Sequence, residues 1–355
     1  MPQDARSPIL AEPARREPYL APAFAALDLG TNNCRLLIGS PAAGGFRVVD
    51  SFSRIVRLGE GLASTDLLAE AAQDRALSAL KSCAEKLSRR PVRALQAVAT
   101  EACRRAANGP AFIARIQAET GIRLRVISAR EEAELAMESC APLLSPSDRR
   151  VLLFDIGGGS TEIAWVRVPP AGGPQLIGYL SVPVGVVTLS ERCGPSCFTE
   201  AGFHAVVEEV AAKLTAFDRV HCIGQEIRAG GVRLMGTSGT VTTLAGVAMA
   251  LPRYRRPLVD GQTIEAKEAD RALGDLFALG REGLAAHPCV GPDRVEFVLP
   301  GCAVYAAIRR MWPAPRLTVA DRGLREGILM RLIRADRETA PRPAWRRADA
   351  QAHPA

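Results

Sequence analysis

The sequence predicts an α/β protein made of two similar halves that face each other across a cleft. Short apolar stretches typical of buried strands alternate with longer stretches that have helical periodicity, and this alternation favours the α/β class. Two glycine-containing hairpins share one layout, at residues 24–38 and 151–166. A motif that occurs twice indicates an internal repeat, and therefore two related halves.

The later hairpin has the sequence VLLFDIGGGSTEIAWV. Two apolar runs flank a glycine-rich turn, which predicts two strands joined by a loop whose N–H groups can surround a phosphate. Asp155 and Glu162 stand at the two ends of the turn, spaced to reach a divalent cation held by that phosphate. The alternative is a tight hairpin without a ligand, and the acids and hydroxyls around the glycines favour phosphate. The predicted phosphate-binding residues here are Gly157, Gly158, Gly159, Ser160 and Thr161.

The earlier hairpin, FAALDLGTNNCRLLI, repeats the order of apolar strand, aspartate, glycine and hydroxyl. Its predicted phosphate-binding residues are Asp28, Gly30, Thr31 and Asn32. A third candidate is the segment GTSGT, where a predicted strand ends and a helix begins. Helix N-termini attract anions, although small residues there also permit tight helix packing. The candidates in this segment are Gly236, Ser238, Gly239 and Thr240.

The composition is that of a soluble globular protein, with 48% hydrophobic and 23% charged residues among 355. The length favours about two domains. No apolar run is long enough to cross a membrane, and the N-terminus lacks the apolar stretch of a signal peptide. The net charge is +7, and arginines greatly outnumber lysines. The excess of arginine suits phosphate ligands but is equally an effect of codon usage.

The nine cysteines are scattered, which favours reduced thiols in the cytosol. Cys193 and Cys197 form the one closely spaced pair. Neither a second pair nor a histidine lies near them in the sequence, which argues against a metal site. Aromatic residues make up only 5% of the chain and no groove-reading motif occurs, so nucleic acid is not the expected partner.

The two hairpins together resemble the acetate and sugar kinase, Hsp70 and actin superfamily. Within it, the chain resembles the exopolyphosphatase / guanosine pentaphosphate phosphohydrolase (Ppx/GppA) family. Five further stretches match in the family's order, so that the resemblance covers about residues 24–335. They are RIVRLGEGL at 54–62, ATEACRRA at 99–106, ISAREEA at 127–133, GTSGT at 236–240 and DRGLREG at 321–327.

The resemblance implies two actin-like (ribonuclease H-like) domains of mixed sheet flanked by helices, with the active site in the interdomain cleft. We place the first domain at residues 23–136 and the second at 137–336, with the last helix able to pack back on the first domain. The proline-containing ends, 1–22 and 337–355, are expected to be disordered tails. None of the four histidines is followed by aspartate, so we do not expect the His-Asp part of long family members here, and the resemblance is to the short two-domain form.

The resemblance also implies catalytic residues. The family's phosphate-contacting arginine corresponds to Arg104, and its catalytic glutamate corresponds to Glu132. From the residues alone, Arg104 could instead pair with Glu101, and Glu132 could simply favour a helix N-terminus. Gly185 lies in a stretch that resembles the family's segment after the phosphate hairpin, and the resemblance implies that it lets the backbone approach the site and bind phosphate. The family's Ser-Gly-x-Glu-Glu reads Ser-Ala-Arg-Glu-Glu here, a departure that bears on the pose of Glu132.

The expected activity is Mg²⁺-dependent release of terminal phosphate from polyphosphate, or of the 5′ γ-phosphate of guanosine pentaphosphate, by a water that Glu132 activates. One alternative is an ATP-dependent small-molecule kinase of the same superfamily, which would share the phosphate hairpins. The other is a non-catalytic protein that binds polyphosphate or the alarmone. The resemblance further implies a homodimer, and we expect a cytoplasmic protein with neither a membrane nor a nucleic-acid partner.

Overall fold

The structure is a computed structural model that describes residues 22–145 and 147–339. It contains two mixed β-sheets, each flanked by helices, and the predicted fold class is confirmed. Nearly all of the predicted tails lies outside the described residues, except that the last helix continues to Thr339. No helix within the described ranges is long and apolar enough to span a bilayer.

The first sheet has five strands in the order β3-β2-β1-β4-β5. The first two neighbouring pairs are antiparallel and the other two are parallel. The strands are β1 (Phe24–Leu29), β2 (Asn33–Ala42), β3 (Gly45–Ile55), β4 (Ala94–Ala99) and β5 (Leu124–Val126). The second sheet has six strands, β6 (Arg150–Ile156), β7 (Thr161–Arg167), β8 (Gln175–Val182), β9 (Val232–Thr237), β10 (Thr263–Glu265) and β11 (Arg316–Ala320).

The second sheet repeats the topology of the first. Its order is β10-β11-β9-β6-β7-β8, so that β8-β7-β6-β9-β11 corresponds to β3-β2-β1-β4-β5, and β10 is an additional antiparallel edge strand. Each half therefore opens with an antiparallel hairpin whose first strand also pairs in parallel with a later strand. The internal repeat inferred from the two hairpins is present in the sheets.

The two hairpins carry different charges at corresponding positions. Asp28 and Asp155 each occupy the penultimate residue of the first strand of their sheet. In the strand register Asp155 lies opposite Glu162, whereas Asp28 lies opposite Arg35. Side chains opposite each other in an antiparallel pair share a face of the sheet. One hairpin thus presents two carboxylates and the other a carboxylate and a guanidinium.

The helices surround these sheets. In the first half they are α1 (Leu62–Thr65), α2 (Glu70–Arg89), α3 (Glu101–Arg105), α4 (Gly109–Thr120) and α5 (Ala129–Cys140). The second half contains α6 (Val186–Cys193), α7 (Glu200–His221), α8 (Ile223–Ala229), α9 (Gly239–Ala248), α10 (Arg256–Val259), α11 (Ala266–Ala278), α12 (Gly280–Ala286), α13 (Val295–Met311) and α14 (Leu324–Thr339).

Helices α5 and α14 join the two halves. Although α14 follows the second sheet in the chain, it packs on β1 and β2 of the first. Ile328 and Leu329 share a buried cluster there with Phe24 and Leu37. Helix α5 packs on α14 and also on β7 and β8. The predicted domain boundary at 136/137 falls inside α5, and the domain limits stay a prediction.

One predicted helix differs in its start and its buried face. The sequence pattern predicts a helix beginning after Thr65 and Asp66 with Leu67 and Ala71 on its apolar stripe. Asp66 instead has a φ of 54° and ends the short helix α1, and α2 begins at Glu70. Leu67 is consequently exposed, and the buried face of α2 is formed by Ala72, Ala76, Leu77, Ala79, Leu80 and Cys83.

Candidate active site

A cavity of about 360 Å³ lies between the two sheets, where the loops of both hairpins meet. Residues of β1, β6 and β9 and of the loops that follow them line it. Fourteen of the residues predicted from the sequence lie in its wall, and the structure thus brings together positions up to 212 residues apart. They are Asp28, Gly30, Thr31, Asn32, Glu132, Asp155, Gly157, Gly158, Gly159, Ser160, Glu162, Ser238, Gly239 and Thr240.

Glycines allow the two hairpin loops to touch. A Cβ atom on Gly158 would lie 3.1 Å from the backbone nitrogen of Asn32, and one on Gly159 would lie 2.0 Å from a carboxylate oxygen of Glu101. Glu101 also accepts a hydrogen bond of 3.1 Å from the Thr31 hydroxyl. Any larger side chain at Gly158 or Gly159 would therefore push the two hairpin loops apart and open the wall of the cavity.

Three carboxylates of the hairpins, those of Asp28, Asp155 and Glu162, form an acidic patch in the cavity wall. Burial raises the pKa of Asp155 to about 7, with Glu162 adding to the effect and Arg35 opposing it. Burial likewise raises the pKa of Asp28 and of Glu162. The hydroxyls of Ser160 and Ser181 donate to one oxygen of Glu162 at 2.6 and 3.0 Å, which fixes its orientation and favours its charged form.

Glu132 enters the same cavity from the first turn of α5. Its side chain is buried, and Arg104 donates to its Oε2 at 3.1 Å. Burial raises the pKa of Glu132 well above its usual range, the nearby Glu162 raises it further, and Arg104 opposes both. The preceding residue, Glu131, instead pairs with Arg125 on the outer side of α5. The two adjacent glutamates thus face different surroundings, and Glu132 is the one that reaches the cavity.

Arg104 contacts the site through Glu132 rather than lining the cavity itself. Besides the carboxylate, its guanidinium donates to the backbone oxygen of Ile127 at 2.8 Å, so it ties α3 to the start of α5. The alternative pairing with Glu101 is wrong: that glutamate is approached by Arg105, at 3.9 Å.

Three other predicted residues stand behind the cavity wall. The Thr161 hydroxyl donates to the backbone oxygen of Val184 at 2.7 Å. Gly185 lies against the backbone of Gly158, where a Cβ atom would come within 2.4 Å. A Cβ atom on Gly236 would collide with the ring of Phe154, so this glycine serves the packing of β9. These residues pack behind the loop of the second hairpin and do not line the cavity.

Several polar atoms in the cavity wall lack a partner within the protein. Of five such buried side-chain atoms in the described residues, three belong to the wall: Asp28 Oδ1, Asn32 Oδ1 and Ser238 Oγ. Ser238 also has a φ of 96°, an uncommon conformation for a residue with a side chain, and it precedes helix α9. Buried polar atoms normally find partners. Their concentration here indicates that the wall is built to hold a polar ligand.

Sequence reasoning missed the arginines of the site. Arg35, Arg294, Arg322 and Arg325 all line the cavity. Burial lowers the pKa of both Arg294 and Arg325, as expected for cations withdrawn from water, and Arg35 adds to the effect on each. The strand register opposite Asp28 could have indicated Arg35, and the DRGLREG stretch contains Arg322 and Arg325. No sequence signal marked Arg294, which reaches the site from before α13.

The carboxylates of the cavity are candidate ligands for a divalent cation. Among residues 22–145 and 147–339, no three His, Cys, Asp or Glu side chains are close enough to form a metal site by themselves. Mg²⁺, however, commonly uses one or two carboxylates and completes its shell with water and substrate phosphate. Asp155 and Glu162 are opposite each other in the hairpin, and the unpartnered oxygen of Asp28 is in the same cavity. This donor set fits Mg²⁺ bound together with a phosphate ligand.

The overall fold is similar to that of several solved structures. A crystal structure of an Aquifex aeolicus Ppx/GppA family member has 25% sequence identity, with 90% of this chain and 99% of that chain covered and a TM-score of 0.73. An exopolyphosphatase-like protein has 27% identity, coverage of 87% and 97%, and a TM-score of 0.76. An exopolyphosphatase from Cytophaga hutchinsonii, at 24% identity, shares the fold, with coverage of 88% and 98% and a TM-score of 0.77.

A family model described as the Ppx/GppA phosphatase family matches residues 37–335. The match includes the second hairpin, Glu132 and, apart from Arg35, the arginines of the cavity. The chain belongs to the Ppx/GppA phosphatase family.

Proposed function

We propose that this protein is a Mg²⁺-dependent phosphohydrolase that releases terminal orthophosphate from inorganic polyphosphate, the 5′ γ-phosphate of guanosine pentaphosphate, or both. The observation that carries the proposal is Glu132, a buried carboxylate with a raised pKa in the wall of a cavity formed by two phosphate hairpins. Membership of a phosphatase family supports hydrolysis over the kinase alternative.

Phosphoryl transfer to water requires that the phosphate is bound and that the water loses a proton. Different residues of the cavity perform these two tasks. Glycine-rich loops, the N-terminus of α9 and the arginines offer N–H groups and positive charge to the phosphate oxygens. Glu132 supplies the base, because a carboxylate with a raised pKa accepts a proton from water more readily than an ordinary one. Arg104 holds that carboxylate in place and lowers its pKa, which favours the ionised form that can accept a proton.

Asp155 and Glu162, with Asp28 nearby, would hold Mg²⁺ beside the substrate. The bound ion would neutralise charge on the phosphate oxygens during transfer. The remaining requirement is that the attacking water is held in position. The cavity walls would hold it between Glu132, which belongs to the first half of the chain, and Asp155 and Glu162, which belong to the second.

The test is phosphate release by the purified protein with Mg²⁺, on long-chain polyphosphate and on guanosine pentaphosphate in parallel. Glu132→Gln is the loss variant and Glu131→Gln the matched control, because the two neighbours differ in whether they face the cavity. We expect release by the wild type and the control and loss in Glu132→Gln. Absence of release from both substrates, with ATP consumed only when a small acceptor is added, would replace the proposal with the kinase alternative.

The homodimer implied by the family resemblance and the cytoplasmic location expected from the composition stay predictions. Sedimentation of the purified protein checks the first, and fractionation of the source cells checks the second. Binding of polyphosphate without turnover would favour the non-catalytic alternative.

A further inference from the structure

Two apolar side chains of the cavity wall, those of Ile55 and Phe297, lie outside the packed cores. Both are half-buried and both line the cavity. Within the described residues neither belongs to an apolar cluster, whereas the other aliphatic side chains of the wall, Ile156, Val186 and Leu324, pack in or against such clusters. Ligand cavities combine apolar side chains with a few polar groups that match the ligand. A phosphate chain has no apolar part that could cover Ile55 and Phe297.

The two side chains come from opposite halves of the chain, and each adjoins a candidate phosphate segment. Ile55 is the last residue of β3, and the nitrogen of the next residue donates to the backbone oxygen of Asn32 at 2.8 Å. Phe297 lies in the first turn of α13, three residues after Arg294, which donates to the backbone oxygen of Gly239 at 2.6 Å. Apolar surface is therefore available next to the loops that would bind phosphate.

A face of the Phe297 ring is covered by the guanidinium of Arg57. The guanidinium carbon lies 5.7 Å from the ring centroid. Arg57 is exposed, and its side chain forms neither a salt bridge nor a hydrogen bond with any residue in 22–145 and 147–339. An exposed contact between a cation and a ring is weak, so a ligand could replace it. Nucleobases stack on aromatic rings and on guanidinium planes.

The backbone of Arg57 has an uncommon conformation that its neighbours fix. Its φ is 47°, in the left-handed region that residues with a side chain rarely adopt. Its nitrogen donates to the backbone oxygen of Asn32 at 3.1 Å, and its oxygen accepts from the nitrogen of Glu60 at 3.1 Å and from Arg75 at 3.4 Å. Backbone strain of this kind is concentrated at ligand-binding sites. Here it accompanies a contact between a cation of the first half and a ring of the second.

We propose that Phe297 and Ile55 form a subsite for the base of a nucleotide, so that guanosine pentaphosphate is a better ligand than polyphosphate. The 5′ phosphates would lie at the hairpin loops, and the base would stack on Phe297 in place of the Arg57 guanidinium. Ile55 would add to the apolar surface that the base covers. This inference rests on the proposed function, because it specifies which of the two substrates the same cavity prefers.

The experiment measures affinity by calorimetry, with Mg²⁺, for guanosine pentaphosphate, GTP and inorganic tripolyphosphate. GTP differs from tripolyphosphate only by its nucleoside. The full-length protein carries Glu132→Gln, so that binding is measured without turnover. Phe297→Leu removes the flat ring but keeps an apolar side chain, whereas Phe297→Tyr keeps the ring. Phe198→Leu is the matched control, because Arg281 lies over Phe198 at 4.7 Å and neither residue lines the cavity.

We expect GTP to bind more tightly than tripolyphosphate. Phe297→Leu should weaken binding of both nucleotides about tenfold, the usual effect of losing one stacked base, and leave tripolyphosphate unchanged. Phe297→Tyr and Phe198→Leu should keep the affinities of the parent protein. GTP binding no tighter than that of tripolyphosphate overturns the proposal. An equal loss for all three ligands in Phe297→Leu also overturns it, since the ring would then serve only to join the two halves.

Phosphate release by the protein without Glu132→Gln is measured separately. A protein that shows the preference for nucleotides but releases no phosphate would contradict the proposed function alone. Release of phosphate without any such preference would contradict the nucleobase subsite alone.

Discussion

Arg104 and Glu132 form an ion pair of 3.1 Å that joins α3 to α5 at the edge of the cavity. The pair is partly shielded from water, since 27% of the Arg104 side chain and 10% of the Glu132 side chain are exposed. Losing one partner of a shielded pair leaves the other with an uncompensated charge. The contact therefore controls both the orientation and the protonation of the proposed base.

Glu132→Gln should lower kcat for phosphate release by about 100-fold or more, because a positioned base contributes about that factor. The same variant should also gain stability relative to the wild type between pH 4 and pH 8. Because the pKa of Glu132 is raised in the folded state, the penalty on the folded wild type begins as pH rises above the ordinary value of 4.5 and is complete above the folded-state pKa. Thermal unfolding of both proteins at pH 4 and pH 8 measures this. An equal effect of the substitution at both values, or a less favourable effect at pH 8 than at pH 4, would contradict it.

Arg104→Met should move the acidic limb of the pH profile of kcat to higher pH. Arg104 lowers the pKa of Glu132, so its removal raises that pKa further and a higher pH is needed to ionise the base. The profile of the wild type should fall as pH decreases through the same ionisation. Arg105→Met, at the neighbouring position, is the control and should leave the limb in place. A profile of Arg104→Met that is merely lower, with the limb unmoved, would show that Arg104 does not act through Glu132.

Asp155→Asn should weaken activation by Mg²⁺ at least about tenfold. Because the pKa of Asp155 is raised to about 7, protons compete with the ion, and the affinity of the wild type for Mg²⁺ should fall as pH decreases through this value. Calorimetric titration with Mg²⁺ and phosphate at pH 6 and pH 8 measures both effects. Unchanged Mg²⁺ affinity in Asp155→Asn would remove this residue from the metal site.

Arg294→Met should raise KM for the phosphate substrate about tenfold or more, the effect of losing a charge-assisted hydrogen bond. It should also stabilise the ligand-free protein, because burial lowers the pKa of this guanidinium and thus disfavours its charged form in the fold. Arg281→Met is the matched control, since Arg281 is exposed and pairs with Glu296. Kinetics and thermal unfolding of both variants are the measurements. An equal change in KM in Arg294→Met and Arg281→Met would show that Arg294 does not bind the phosphate substrate.

Gly185→Ala should destabilise the protein and lower activity, because its Cβ atom would lie 2.4 Å from the backbone of Gly158 and displace the phosphate hairpin. Gly274→Ala provides the comparison. This glycine lies in α11, and a Cβ atom added there would meet no other atom within 4 Å, so the substitution should stabilise the helix by about 0.5–1 kcal/mol. Urea unfolding distinguishes the two. Similar stability of both variants would show that the hairpin accommodates a Cβ atom at Gly185 without loss of stability.

Much of the site could be predicted because its chemistry depends on local sequence. The Asp-x-Gly turns are recognisable by themselves, since the backbone conformation and the carboxylates come from neighbouring residues. Family resemblance then separated Glu132 from Glu131, which the local pattern could not do. The internal repeat was also visible, because both hairpins keep the same order of strand, aspartate and glycine.

The rest depended on contacts between distant residues. Arg294 is brought to the cavity by the position of α13 relative to α9, where it donates to the backbone oxygen of Gly239 at 2.6 Å. No spacing in the sequence predicts such a contact. The start of α2 was misplaced because Asp66, a good helix starter, adopts a left-handed conformation and ends α1 instead. Gly236 was assigned to phosphate because its packing against Phe154 appears only in the folded sheet.

The position of α14 has a consequence for how this chain folds during translation and for how it can be truncated. The helix supplies Leu324, Ile328, Leu329 and Ile333 to a core that it shares with the first sheet and with α5, both of which come much earlier in the chain. Until the ribosome has translated α14, one face of that sheet lacks these four side chains. A fragment ending near residue 320 should therefore leave this face open and tend to aggregate, whereas the same fragment supplied with the final helix as a separate peptide should recover solubility.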